Sequence, residues 1–325
     1  MCPLRDHQHT ETNDKELTMR TRRPAKAMIA GAVSILMLTG FWGKTESLSD
    51  GETGNVSFES QGGVTLYGDV TIPETGTGPF PAMVLMHGTG GRGYRQNSWA
   101  EYFAKNGIAS INVDYFSGRG YEPPGPPPGD YHDVVDAMKL IATHPEVDKD
   151  RIGVMGWSNG AEIALESAIV DESKGGGLTL KAHVVFYPPC ELTSVPGFGP
   201  NHPIAVFLGT NDYVAKVWQC EDMVNKAISR DQKDVRLIVY EGAYHGWDDN
   251  HVTDTYDHRN RHVQLIPNEE VTAKSRKDVM EFLRNTLILG KPGKKPTATS
   301  QGGGKVKPDG CVDPNFAALF PGLCS

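Results

Sequence analysis

The most informative segment of this chain is Gly156-Trp157-Ser158-Asn159-Gly160. It follows the strand-like run 151–155 and precedes the helix-like run 161–168. A sharp strand-to-helix turn of this kind presents a serine hydroxyl on strained backbone, and the flanking glycines tolerate a close approach that a side chain would block. The sequence therefore predicts that Ser158 is a nucleophile.

Short apolar segments alternate with helical segments on both sides of this turn. Strands are predicted at 82–86, 108–113, 151–155, 182–187, 203–208 and 235–240, and helices at 100–104, 131–143, 161–168, 217–228 and 269–286. Nearly continuous apolar strands separated by helices are typical of an α/β fold, with a mostly parallel central sheet and helices on both faces. The alternating segments 55–59 and 64–70 predict an antiparallel hairpin at the sheet edge. Ligands of such a sheet bind at the carboxyl ends of its strands.

Length and composition fit one large globular core. The chain has 325 residues, of which 38% are hydrophobic and 22% charged. We expect a catalytic domain over residues 51–290, preceded by a targeting segment and linker over 1–50 and followed by a low-complexity tail over 291–325. The net charge of -8 argues against a nucleic-acid partner.

The N-terminal segment has the pattern of an export signal. A basic cluster at residues 20–26 precedes the apolar run 27–42, as the charged and hydrophobic regions of a signal peptide do. Either Met1 or Met19 is the start, and cleavage is expected within 43–49. We predict an exported protein, periplasmic or secreted. The first alternative is an uncleaved membrane anchor formed by 27–42, and the second is a buried N-terminal helix.

The cysteines predict disulfides if the chain is exported. The five are Cys2, Cys190, Cys220, Cys311 and Cys324. In an oxidising compartment the last four form an even set with three possible connectivities. We favour Cys190 with Cys220 and Cys311 with Cys324, because the second pair closes a short loop in the tail. The alternative is four free thiols in a reducing cytosol.

A nucleophilic serine needs a base within hydrogen-bond reach and a carboxylate that fixes the tautomer of that base. In this topology the acid and then the histidine follow the serine, each on a loop after a strand. Asp212 comes directly after the strand 203–208, and His245 comes shortly after the strand 235–240. We therefore predict Asp212 and His245 as the partners of Ser158.

Further polar residues follow the last predicted strand. They are Asp248, Asp249, His251, Asp254, Asp257, His258 and His262. Histidines and aspartates together could indicate a metal site, but their spacing matches no known ligand pattern. We interpret this segment as a solvated polar excursion before the final helix, and we expect no metal.

The charge that develops on an attacked carbonyl oxygen needs backbone N–H donors. We expect one donor at Asn159, at the start of the helix behind the serine, and one at Thr89 in the turn 87–91. A phosphate-binding role for this turn is excluded, because it lacks the required lysine and spacing. Candidate lining residues of the substrate pocket, with simple packing as the alternative, are Trp157, Trp247, Tyr94 and Tyr115.

The run 147–160, with Gly-Thr-Asn-Asp at 209–212 and Tyr-His-Gly at 244–246, resembles the dienelactone hydrolase family of α/β-hydrolases. The similarity covers roughly residues 55–288. The resemblance implies a triad of Ser158, Asp212 and His245, which would hydrolyse small-molecule esters or lactones without a metal or organic cofactor. It also implies a disulfide between Cys190 and Cys220, because exported members pair a cysteine after Tyr-Pro with one in the helix after the acid.

Two departures from the family pattern narrow this expectation. The namesake enzymes have cysteine at the position of Ser158, and a glutamate at the end of the early strand that is absent from 84–87. We therefore expect a serine carboxylesterase that works through an acyl-enzyme. The alternatives are a peptidase of the prolyl-oligopeptidase type and a non-catalytic exported binding protein. The sequence does not indicate the acyl and alcohol specificity or the oligomeric state.

Overall fold

The computed structural model describes residues 44–121, 127–169, 172–190, 202–229, 234–258 and 261–288. The predicted signal or anchor segment 27–42, the tail 291–325 and the pair Cys311 and Cys324 lie outside these residues. None of the described helices is long and apolar enough to cross a membrane. The folded part begins before residue 51, because Leu48 is buried and its N–H donates to Thr143 Oγ1 at 2.8 Å.

Eight strands form the central sheet. They are β1 (Gly54–Ser60), β2 (Val64–Thr71), β3 (Phe80–Met86), β4 (Ala109–Asp114), β5 (Val147–Trp157), β6 (Leu180–Phe186), β7 (Ile204–Gly209) and β8 (Val235–Tyr240). Their order is β1-β2-β4-β3-β5-β6-β7-β8. β2 is antiparallel to β1 and β4, and the other neighbours are parallel. The predicted mostly parallel sheet and its antiparallel edge hairpin are confirmed.

Helices cover both faces of this sheet, as the sequence predicted. They are α1 (Tyr94–Lys105), α2 (Tyr131–Ile141), α3 (Asn159–Ser167), α4 (Val217–Ser229) and α5 (Glu269–Leu283). Successive side chains of a strand point to opposite faces. In β3, Met83 and Leu85 therefore join one hydrophobic cluster with α1 and α5, whereas Val84 and Met86 join another with α2.

The polar segment before α5 contains a small hairpin that the sequence analysis missed. Its strands are β9 (Asp254–His258) and β10 (Arg261–Leu265), which pair antiparallel. The alternation of apolar residues is weak here, and Val263 is a buried apolar anchor. Leu265 forms a parallel bridge with His245, so the hairpin ends beside the predicted base.

Candidate active site

Ser158 lies in the turn between β5 and α3 with φ 52° and ψ −114°. A positive φ is uncommon for a residue with a side chain and stores strain. The flanking glycines allow the turn, because a Cβ on Gly156 would overlap the carbonyl oxygen of Gly160, and one on Gly160 would overlap that of Met86. The turn is also tied to the sheet by the Ser158 N–H, which donates to Phe186 O at 3.0 Å.

The structure brings Ser158, His245 and Asp212 together in one hydrogen-bonded chain. His245 Nε2 lies 3.0 Å from Ser158 Oγ, and His245 Nδ1 lies 2.7 Å from Asp212 Oδ2. The other carboxylate oxygen, Oδ1, accepts the N–H groups of Val214 at 2.7 Å and Ala215 at 2.8 Å. Asp212 and His245 are both buried. The carboxylate is therefore held by the backbone on one side and aligned with the imidazole on the other.

The loops that carry Asp212 and His245 are bound directly to each other. The N–H of Thr210 donates to Tyr240 O, and that of Asn211 donates to Ala243 O, both at 3.0 Å. A Cβ on Gly209 would overlap the carbonyl oxygen of Ala243, so this approach requires glycine. Because β7 and β8 are neighbours in the sheet, their carboxyl ends place acid and histidine within contact distance.

The two segments that carry the expected oxyanion donors lie next to the serine. Asn159 is the first residue of α3, where N–H groups have no partner within the helix. Thr89 belongs to a turn that is closed by a hydrogen bond from Gly91 N–H to Gly88 O at 3.0 Å. A Cβ on Gly88 would lie 3.3 Å from Ser158 Cβ, which shows how closely this turn approaches the hydroxyl.

A buried carboxylate, Asp248, lies behind the histidine. It accepts hydrogen bonds from Tyr187 Oη at 2.7 Å, Trp157 Nε1 at 2.8 Å and Trp99 Nε1 at 2.9 Å, and Arg95 Nε lies 3.3 Å from its Oδ1. We call these five residues the Asp248 cluster. Arg95 also pairs with Asp249 at 3.1 Å. The interpretation of Asp248 and Asp249 as solvated is therefore wrong, since both are buried.

Tyr187 connects the Asp248 cluster to the histidine. Its ring centroid lies 4.5 Å from that of His245, and its hydroxyl donates to Asp248. Burial raises the pKa of the Tyr187 hydroxyl well above its usual value, more than Arg95 lowers it, so the hydroxyl keeps its proton. The sequence alone did not predict the Asp248 cluster, and its one available signal was an aspartate that directly follows Trp247.

Three of the four candidate pocket residues lie in the interior. Trp157, Trp247 and Tyr115 have no exposed surface. They therefore pack in the interior, which was the alternative to a pocket role. The indole of Trp157 is held by Asp248 instead. Tyr94 is 49% exposed and contacts the ring of His251 at 3.7 Å. Tyr94 is thus the candidate that a ligand can reach.

The favoured disulfide between Cys190 and Cys220 is present, with an S–S distance of 2.04 Å. It joins the segment after β6 to α4, and both cysteines are buried. The described residues contain no group of three or more histidine, cysteine, aspartate or glutamate side chains that could hold a metal ion.

The sheet order, the strained serine after β5 and the acid and histidine after β7 and β8 match the α/β-hydrolase fold. Residues 130–287 match the family model described as "Dienelactone hydrolase family". This range includes the serine, the acid and the histidine. The resemblance to the dienelactone hydrolase family is thus confirmed over residues 130–287.

A curated relative, an uncharacterized protein of Pseudomonas aeruginosa, is 31% identical over 144 residues. The match covers 42% of this chain and 39% of that protein, so the chain spans well under half of the relative's length.

Solved structures share the fold at low sequence identity. A putative dienelactone hydrolase from Klebsiella pneumoniae is 17% identical with a TM-score of 0.55, covering 72% of this chain and 98% of its own. A dienelactone hydrolase from Anabaena variabilis is 19% identical with a TM-score of 0.54, covering 73% and 98%. A thermophilic esterase from Thermogutta terrifontis is 16% identical with a TM-score of 0.52, covering 73% and 92%.

Proposed function

We propose that this protein is a serine hydrolase that cleaves carboxylic esters or lactones through an acyl-enzyme. The observation that carries the proposal is the chain of contacts from Ser158 Oγ through His245 to Asp212, at 3.0 and 2.7 Å. Both distances lie within the hydrogen-bond range that proton transfer requires. The match of residues 130–287 to the dienelactone hydrolase family model supports a small-molecule ester or lactone as the substrate.

In the first half of the reaction, His245 Nε2 takes the proton of Ser158 Oγ while the oxygen attacks the ester carbonyl. Asp212 accepts a hydrogen bond from the Nδ1–H group of His245, which leaves Nε2 free as the base and stabilises the imidazolium that forms. The imidazolium then gives its proton to the leaving alkoxide. The products are an alcohol and an acyl group bound to Ser158.

In the second half, His245 takes a proton from water, and the hydroxide attacks the acyl carbonyl. The tetrahedral intermediate collapses, Ser158 Oγ recovers its proton from the imidazolium, and the carboxylic acid leaves. In both halves the N–H groups of Asn159 and Thr89 would hold the oxyanion. Removal of one such donor typically costs about 10²–10³ in kcat.

The strained backbone at Ser158 supports this role. A non-glycine residue at φ 52° persists only where its surroundings fix it, and such residues cluster at functional sites. Because a neutral hydroxyl is a weaker nucleophile than a thiolate, the serine depends on the histidine and aspartate more than the family's cysteine does.

The test combines a covalent probe with a substrate panel. Wild-type protein should react with a fluorophosphonate and hydrolyse p-nitrophenyl esters, whereas Ser158→Ala should lose labelling and at least about 10³-fold in kcat. Ser167→Ala is the matched control, because Ser167 lies in the same helix and bonds to Ala164 O. Labelling that survives in Ser158→Ala would remove the proposed nucleophile.

Two outcomes of the same panel select the alternatives. Preferential cleavage of peptide amides over esters would indicate a peptidase of the prolyl-oligopeptidase type. Neither labelling nor turnover with any ester would indicate a binding protein on this scaffold.

We also propose that the protein is exported to the periplasm or secreted. The disulfide between Cys190 and Cys220 supports an oxidising compartment, where such bonds persist. Fractionation of the cells that make the protein, with mass spectrometry of its N-terminus, tests this. A cytosolic protein with free thiols would contradict the proposal, and an intact N-terminus in the membrane fraction would indicate the anchored form.

A further inference from the structure

We propose that the hydroxyl of Tyr115 is a positioning group that fixes the spacing between the oxyanion donors at Thr89 and Asn159. This inference rests on the proposed function and assigns a role to a residue that does not contact the substrate. It follows from the two hydrogen bonds that the hydroxyl makes, and from the two chain segments that those bonds join.

Tyr115 directly follows β4 and is completely buried. Its ring stacks on the imidazole of His87, with centroids 4.1 Å apart and planes 9° apart. Phe116 contacts both rings edge-on, at 4.7 and 4.5 Å. The ring is therefore held on both sides, and the hydroxyl points to one fixed place.

The hydroxyl joins the two halves of the proposed oxyanion hole. It donates to His87 O at 2.6 Å, and it accepts a hydrogen bond from Asn159 Nδ2 at 3.0 Å. His87 lies two residues before Thr89, and Asn159 carries the other donor on its own backbone. One oxygen atom thus links the segment after β3 to the first residue of α3.

The protonation state of the hydroxyl suits this double role. Burial raises the pKa of Tyr115 far above its usual value, although the bond from Asn159 opposes the shift. A protonated hydroxyl donates one hydrogen bond and still accepts another, which the bridge requires. The neighbouring imidazole stays neutral, because burial lowers the pKa of His87 to about 4.

Backbone packing alone leaves this spacing only partly determined. Gly160 approaches the carbonyl oxygens of Met86 and His87 so closely that a Cβ would overlap them. This contact sets how near the two segments come, but glycine has no side chain that could stop them from sliding or separating. The hydroxyl of Tyr115 supplies directional bonds to both segments and so fixes their register.

The proposal predicts a loss of kcat without a matching loss of substrate binding. Donors aimed at the developing oxyanion act in the transition state, so displacing them lowers kcat and leaves KM nearly unchanged. Tyr115→Phe keeps the ring and removes only the hydroxyl. We expect kcat to fall about 10- to 100-fold, which is less than the fall when an oxyanion donor is removed completely. KM should change less than about threefold.

The second readout is a boronic acid inhibitor, which forms a tetrahedral anion on the serine. Its inhibition constant in Tyr115→Phe should rise by about the same factor by which kcat falls. Tyr240→Phe is the matched control, because it removes a hydroxyl bonded to Asp278 at 2.8 Å that plays no part in the bridge. A structural role alone would lower the melting temperature of both variants and leave kcat of the folded protein unchanged.

Asn159→Ala keeps the proposal testable if Tyr115→Phe folds poorly, because it breaks the same bridge from the other side and should lower kcat by a similar factor. Asn159→Ala removes the side-chain donor and keeps the backbone N–H. If the bridge positions the donors, the effects of the two substitutions on kcat should be clearly non-additive. Additive effects, or an unchanged kcat in a folded Tyr115→Phe, would overturn the inference. Failure of the wild type to react with any ester would instead overturn the proposed function.

Discussion

Substitution of Asp248 by asparagine should destabilise the protein strongly, although it changes one atom and one charge. The two carboxylate oxygens divide four contacts between them: Oδ1 faces Tyr187 and Arg95, and Oδ2 faces Trp99 and Trp157. An asparagine has one oxygen and one NH₂ group. If its NH₂ group takes the place of Oδ2, both indole N–H donors face a donor; if it takes the place of Oδ1, the NH₂ group faces the Arg95 guanidinium.

The magnitude follows from these contacts. An unsatisfied buried donor costs about 1–3 kcal/mol, and the lost charge adds less than the ~3–5 kcal/mol of a fully broken buried ion pair, because Arg95 keeps its pair with Asp249. Asp248 has no exposed side-chain surface, and Arg95 is 13% exposed, so water cannot replace the lost bonds. We expect the free energy of unfolding to fall by about 4 kcal/mol, a large share of the ~5–15 kcal/mol of a typical domain.

Equilibrium urea unfolding, followed by tryptophan fluorescence, measures this change, provided that the slope m is unaltered. Asp222→Asn is the control, because Asp222 makes an exposed pair with Lys226 and its loss should matter by less than about 0.5 kcal/mol. If the free energy of unfolding of Asp248→Asn lies within about 1 kcal/mol of the wild-type value, the Asp248 cluster does not stabilise the structure behind His245 as described.

Two further substitutions test the framework around the site. Replacing Cys190 and Cys220 by serine opens a loop with a sequence separation of 30. The free energy of unfolding should fall by about 3–4 kcal/mol, and dithiothreitol should lower the melting temperature of the wild type but not of the double variant. Gly160→Ala should abolish ester hydrolysis, because its Cβ would overlap two carbonyl oxygens, whereas Gly93→Ala, with no atom within 4 Å, should have little effect. An active Gly160→Ala would show that α3 does not pack against β3 as described.

The sequence predicted the sheet and the relative order of the site residues because both depend on local patterns. Apolar runs and strand ends are visible along the chain, and Asp212 and His245 each stand just after one. The Asp248 cluster depends on distant residues, since its donors come from positions 95, 99, 157 and 187. From the sequence alone, an aspartate in a polar segment is expected to be solvated, because the donors that bury it are far away along the chain. The same limit explains why Trp157 and Tyr115 were expected to line a pocket.

The strained backbone positions of this fold lie next to His245. Among the described residues, the non-glycine residues with positive φ are Ser158 at 52° and Tyr187 at 41°. They follow the neighbouring strands β5 and β6, and their N–H groups donate to the next strand along, to Phe186 O and Phe207 O. One presents its hydroxyl to His245 Nε2, and the other packs its ring against the same imidazole. Such conformations cost about 1–3 kcal/mol each and persist only where the surroundings enforce them. The sheet enforces the positive φ of Ser158 and of Tyr187, and these two residues make the contacts that orient His245. We therefore infer that the backbone strain at both residues serves to hold the imidazole against the serine hydroxyl.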